Sequence, residues 1–332
     1  MRTDKAGALA KRKGGCNAGS WLFPVICCVI ALCAGEALGD EAQVWRYDFR
    51  EIFYDIAILN KDKAVIVGDR GRVLVTHGKF KNLWSPRDSG TGELLTSISF
   101  ADERTGWAAG HAGVIIHTSD GGESWELQRA ASSENQPLFD IQCISENVAF
   151  ACGAYDTVLK TIDGGAHWEM IPTGLDKIYN GLCFINEATG YLVGEESTVV
   201  RTQDGGRRWE ELDLGGRQGA FFGITRVSDK ELLVYGIAGR LMRSGDDGRT
   251  WEAIPLGINQ SLYRAAVNGK EVALVGGSGT ILVSKDGVRS FVEMKDEDLT
   301  TFAGVCAHPE GGFICVGERG KIHRINSSDK QQ

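Results

Sequence analysis

Short apolar runs, each closed by a glycine, are spaced evenly along this chain. Examples are Ala64–Val65–Ile66–Val67–Gly68, Phe150–Ala151–Cys152–Gly153 and Tyr191–Leu192–Val193–Gly194. Polar residues gather between the runs in turn-forming clusters, and no stretch sustains a helical period. The closing glycines, Gly68, Gly110, Gly153, Gly194, Gly236, Gly276 and Gly317, lie 40 to 43 residues apart. Trp84, Trp125, Trp168, Trp209, Trp251 and Phe291 keep the same spacing. In the second unit the pattern predicts strands at Leu95–Phe100, Gly106–Ala109, Val114–Thr118 and Trp125–Arg129. Repeats of four short strands every ~40–45 residues are propeller blades. The predicted fold is therefore all-β: a seven-bladed β-propeller of four-stranded antiparallel blades. One domain spans 40–332, with blades near 52–87, 94–130, 138–173, 178–214, 220–255, 261–294 and 301–325. The seventh unit runs out after its third strand. Residues 43–48, which place Trp45 at the aromatic position, are expected to supply the missing one and close the ring.

The link between the third and fourth strands has a fixed form: Ser/Thr, any, Asp, any, Gly, any, any, aromatic. This Asp box reads Thr118–Ser119–Asp120–Gly121–Gly122–Glu123–Ser124–Trp125 in the second unit. Its copies carry Asp163, Asp204 and Asp246, and a worn copy, ending in Phe291, carries Asp286. A short acidic side chain accepts amide hydrogens of its own turn, and glycine takes the conformation other residues avoid. These five aspartates are expected to be structural, on the face opposite the hairpins that join second strands to third.

Those hairpins vary from unit to unit, and function is expected among them. They contribute Arg70, Arg72, Arg240 and Arg319 from units one, five and seven, and Asp156, Glu195 and Glu196 from units three and four. First-strand starts are expected to add an aromatic ring at the channel mouth: Tyr54, Phe139, Tyr179, Phe221, Tyr263 and Phe302, with Asp55, Asp140, Asn180 and Arg264 beside them. Arginine and aromatic residues anchor protein interfaces. The expected partner-binding face comprises Arg70, Arg72, Arg240, Arg264, Arg319, Tyr54, Tyr179 and Tyr263; the competing reading is solvated hairpin tips.

Catalytic signals are poor. A sialidase, which also carries Asp boxes, needs an arginine cluster, a tyrosine nucleophile and an acidic partner. No arginine–isoleucine–proline motif or pocket-building insertion accompanies them here. The six histidines lack metal-ligand spacing, and there is neither a phosphate loop nor a nucleophile elbow. No catalytic residue, metal, cofactor or small-molecule substrate is expected. A secreted glycoside-binding or glycoside-hydrolysing propeller is the alternative.

Composition adds the compartment. Five basic residues precede an apolar run from Trp21 to Ala34, and Ala37–Leu38–Gly39 offers a cleavage site. Residues 1–39 read as a signal peptide, so an exported protein is expected, with an uncleaved anchor as the alternative. Ile30–Ala31–Leu32–Cys33 only partly matches a lipoprotein box. Losing five basic and two acidic residues takes the net charge from −8 to −11. That argues against nucleic acid as a partner. Cys143/Cys152 and Cys306/Cys315 repeat one spacing; buried free thiols are favoured over disulfides.

Leu95–Thr96–Ser97–Ile98–Ser99–Phe100, Gly106–Trp107 and the box at His117–Glu126 resemble the photosystem II stability/assembly factor family of cyanobacteria and chloroplasts, with its relatives in non-photosynthetic bacteria. The resemblance covers roughly residues 44–325. It implies an exported propeller, in the periplasm or a thylakoid lumen, that binds a membrane-protein subunit or assembly intermediate without catalysis. It further implies a basic patch on the propeller face, for which Arg70, Arg264 and Arg319 are candidates. A monomer, in some association with a membrane, is the expected state.

Overall fold

The computed structural model describes residues 50–78, 84–214 and 219–326. They form seven antiparallel sheets, each built from strands consecutive in the chain. The second is typical, with strands at Leu95–Phe100, Gly106–Gly110, Ile115–Thr118 and Glu126–Arg129. The seventh has three described strands, Phe302–Ala307, Phe313–Gly317 and Ile322–Ile325. Residues 43–48, expected to complete it, and the leader at 1–39 lie outside the described residues.

The apolar runs are unbroken because each blade is covered on both sides. Successive residues of one strand serve different neighbours. Val65 and Val67 pack with Leu95, Ile98 and Ile116 of the second blade. Ala64 and Ile66 pack with Ile314 and Val316 of the seventh. Seven such interfaces follow one another round the ring. The first strands touch in a closed circle, Phe53–Ile58 meeting Phe302–Ala307 at the seam. There the Ile52–Glu318 bridge and the bond from the Gly320 amide to the Glu51 carbonyl tie the described chain start to the last blade.

This layering also accounts for the thiols. Cys143 packs between blades two and three, but Cys152 packs between three and four. Cys306 and Cys315 are likewise on opposite faces of blade seven. All five described cysteines are free.

Every first strand carries a bulge in the same place. Phe53 lies opposite Gly68 and Asp55 opposite Val67, so Tyr54 is an extra residue. The same one-residue shift occurs in the other six blades. A bulge re-aims the side chain it inserts. Facing it is the glycine that closes each apolar run. Gly194 has an extended backbone (φ −166°), open to any residue. Space is the constraint: a Cβ on Gly194 would lie 1.9 Å from the Ile178 carbonyl oxygen. Equivalent carbonyls stand 1.9–2.4 Å from a Cβ at the other six glycines. The residue after each glycine then donates its amide to that carbonyl, as Glu195 does to Ile178 at 3.2 Å.

Gly194→Ala is expected to destabilise the domain by about 3 kcal/mol, because backbone must move to admit the methyl. Gly245→Ala, at an exposed site with open space, should stay within about 0.5 kcal/mol of wild type. Urea denaturation of the two variants checks the pair; equal losses would refute the close approach as the reason for glycine.

Candidate functional site

The ring has two unlike faces. On one, every Asp box docks on the first turn of its own blade. The Gly121 amide donates to the Arg104 carbonyl at 2.7 Å, and Gly164, Gly205, Asp247 and Gly287 make the matching bond. Within the box, Thr118 Oγ1 donates to Asp120 (2.8 Å) and accepts from the Gly122 amide (2.9 Å), while the Ser124 amide donates to the carboxylate (3.0 Å). Asp163, Asp204, Asp246 and Asp286 repeat the arrangement. The His167 amide and ring hold Asp163 down to about 2, and the Thr250 hydroxyl and amide do the same for Asp246. Both depressed carboxylates therefore stabilise the fold above the unfolded-chain value near ~4, and that support is lost as pH falls toward 2. In the worn copy Val288 replaces the glycine at φ 61° and is buried between blades.

On the other face, the hairpins between second and third strands are tight turns. In all seven, the fourth residue's amide bonds the first residue's carbonyl, as from Arg72 to Asp69 at 2.9 Å. Both central residues have positive φ, the pattern of a type I′ turn. The first central position is Arg70, Ala112, Tyr155, Glu196, Ala238, Ser278 or Arg319, with φ between 51° and 59°. A left-handed side chain costs roughly 1–2 kcal/mol where glycine costs almost nothing. Seven side chains are thus presented at equivalent points of one rim.

Inside the rim, the bulge residues line a cavity of about 410 Å³ at the axis. Tyr54, Thr96, Phe139, Asn180, Phe222, Tyr263 and Ala303, one per blade, form its walls. Glu318 and His111 join them from the hairpins, and Arg264 is also in the lining.

Arg264 braces the axis across the ring. It donates to Asp140 of blade three (2.9 Å), Asp55 of blade one (3.1 Å) and Ser97 of blade two (3.3 Å). Ser97 donates in turn to either carboxylate, and backbone amides of Ile98 and Leu182 complete the carboxylates' shells. Burial opposes the guanidinium charge, but Asp55 and Asp140 beside it outweigh that and keep it protonated. Two carboxylates thus share one cation, and burial pushes Asp55 upward from its ordinary value. The equivalent positions elsewhere are Gly181, Gly223 and Gly304, where a Cβ would meet neighbouring atoms at 2.4–2.9 Å.

The expected partner-binding residues separate into four groups. Tyr54 and Tyr263 line the cavity, and Arg70 and Arg319 are exposed on the rim. Arg72 pairs with Glu51 at 2.6 Å, Arg264 is the axial brace, and Arg240 lies over the Phe221 ring at 4.6 Å while donating to Ser197. Tyr179, expected at the mouth, is a correction: it has no exposed surface and packs between blades three and four. Phe221 and Phe302 are equally buried. The bulge is the physical reason, since it turns the residue after each of these toward the axis. Phe222, one position further along, is the ring that reaches the mouth. Glu318, at a hairpin start, also lines the cavity although its sequence position singles it out no more than any other polar hairpin residue.

Of the acidic residues expected at the mouth, Asp140 is below it, and Asp156 is held by the Thr173 and Gly174 amides. Glu196 pairs with Lys177 and Glu195 is exposed. Burial raises the Cys183 thiol to about 11 and the Cys143 thiol to about 12, far from a nucleophile's range. Among the described residues no cluster of three metal-ligating side chains occurs, and no helix is long and apolar enough to cross a membrane.

A family model described as photosynthesis system II assembly factor YCF48 matches residues 39–132 and 166–331. Among solved structures, YCF48 bound to a D1 peptide superposes with a TM-score of 0.69 at 20% identity, over 85% of this chain and 95% of that one. YCF48 from Cyanidioschyzon merolae gives 0.69 at 14% identity, over 86% and 98%. The GH74 xyloglucanase from Xanthomonas campestris gives 0.68 at 12% identity, over 83% of this chain but 52% of the enzyme. At such identities the structural likeness is one of fold. No curated protein matches the sequence.

Arg264→Met leaves two buried carboxylates without their cation and is expected to cost about 3–5 kcal/mol at pH 7.5. The sign of the pH dependence follows from Asp55. A folded-state value above the unfolded one means stability is gained as pH falls and lost as it rises from near ~4 toward the raised value. Without the cation that value climbs further, so the deficit should shrink at pH 5. Chemical denaturation at both pH values checks this; a deficit independent of pH would contradict it.

Proposed function

The chain belongs to the photosynthesis system II assembly factor YCF48 family, and from that membership we propose that it is a non-catalytic scaffold holding a membrane-protein subunit, or an assembly intermediate, on its hairpin face. The observation that carries this reading is the contrast between the faces. Box aspartates are consumed by their own turns, whereas the hairpin face opens into an aromatic cavity. Of the eight large hydrophobic residues exposed among the described residues, Tyr155, Leu175, Ile237 and Leu299 are in hairpins or links of that face, and only Ile162 is in a box. Exposed apolar area rimmed by charge marks interaction sites. A YCF48 structure that holds a D1 peptide supports a peptide segment as the client.

The leader supports export to a periplasm or lumen, beside the membrane whose subunit is bound, and the chain acts there as a monomer. Glycoside hydrolysis is the weaker reading, although a xyloglucanase shares the fold. Hydrolases of that kind use two carboxylates flanking the scissile bond. Here Asp55 and Asp140 are committed to Arg264, and Glu318 is the carboxylate left in the cavity wall.

A photo-crosslinking residue at Tyr155 should capture an integral membrane protein in native membranes, and one at Ile162 should not. Arg70→Glu with Arg319→Glu should lower recovery of that client without moving the melting temperature, since both side chains are exposed. Capture from Ile162 alone would overturn the assignment of the face.

A further inference from the structure

Resting on that reading of the face, we propose that the axial cavity is a cage for a cationic side chain, a lysine or arginine of the client, closed by the Glu318 carboxylate. Four rings meet there: Tyr54, Phe139, Phe222 and Tyr263. Phe222 and Tyr263 are in contact, with centroids 5.4 Å apart and planes at 42°. Ring faces carry the negative end of the aromatic quadrupole and attract cations, most strongly where water is excluded. A cavity of about 410 Å³ falls within the range of pre-formed small-ligand sites.

The surrounding charge selects the sign. The Glu318 carboxylate accepts one long bond, from the Thr301 amide at 3.3 Å. Beneath it, Arg264 spends both terminal nitrogens on Asp140, Asp55 and Ser97, so its charge is matched by carboxylates and it offers no free pair of donors to an incoming carboxylate. The negative field registers on the wall: burial first, then the charges of Asp69 and Glu318, push the Tyr54 phenol upward. Arg70 and Arg319 are on the rim and do not line the cavity. The face thus divides its labour, with rim arginines meeting acidic surface and the cage taking a basic side chain.

Small probes test this apart from the client. N-acetyl-lysine methylamide and N-acetyl-arginine amide, titrated into the full chain by NMR, should bind roughly five- to tenfold tighter than the norleucine analogue, and N-acetyl-glutamate amide should not bind. Glu318→Gln, which keeps the bond to Thr301, should erase most of that preference. Phe222→Leu should weaken the cationic probes with an unchanged melting temperature. Equal binding of norleucine, preference for glutamate, or no binding of any probe at tens of millimolar would each overturn the cage. If crosslinking from Tyr155 still captures the client in those cases, the docking face stands and only the cage fails. Loss of both would remove the docking reading as well.

Discussion

One extra residue in each first strand governs the rest of this molecule. The insertion needs the strand's carbonyl to come within touching distance of the next strand's last residue, and only a residue without a Cβ permits it. The seven glycines and the seven bulges are therefore one device. It turns one side chain per blade toward the axis while leaving its neighbours, such as Phe53 and Ile56, between blades. The hydrophobic ring and the axial cavity come from the same local distortion, so neither can shift without the other.

The brace at Arg264 shows how a ring of near-identical units becomes asymmetric. Four blades contribute a polar group at the equivalent position and three contribute glycine. Truncating one charge of such a group is far more damaging than its net contribution suggests, because the others stay buried. The cluster also separates the aromatic mouth from the polar cavity lined by Gln142, Thr225 and Tyr235. What enters from the hairpin side stops at a polar floor.

Much of the architecture was legible because spacing records it. The Gly68-to-Gly317 series and the Trp84-to-Phe291 series have the same beat, and glycine and tryptophan at fixed intervals of this length are the mark of a repeated blade. The mouth reads one residue out of register at Tyr179, Phe221 and Phe302, since a bulge breaks the two-residue alternation without leaving a residue type that announces it. Arg264 was legible as a conspicuous residue but not as a brace. Its partners Asp140 and Asp55 are 124 and 209 residues away in the chain, and only ring closure brings them together. Arg240 and Arg72 resemble rim charges for the same reason, because stacking on Phe221 and pairing with Glu51 are tertiary facts.

The left-handed tips of the seven hairpins carry a consequence for how such a protein can diversify. Each turn is held by its own amide-to-carbonyl bond, by the glycine in front of it and by the link beside it, as where the Ser197 amide meets the Gly219 carbonyl. None of those bonds uses the tip side chain, which already varies from arginine to tyrosine to glutamate, and Glu196 adds an ion pair to Lys177 of the link. The tips can therefore be exchanged one at a time, each on a turn whose backbone bonds do not require the side chain it carries.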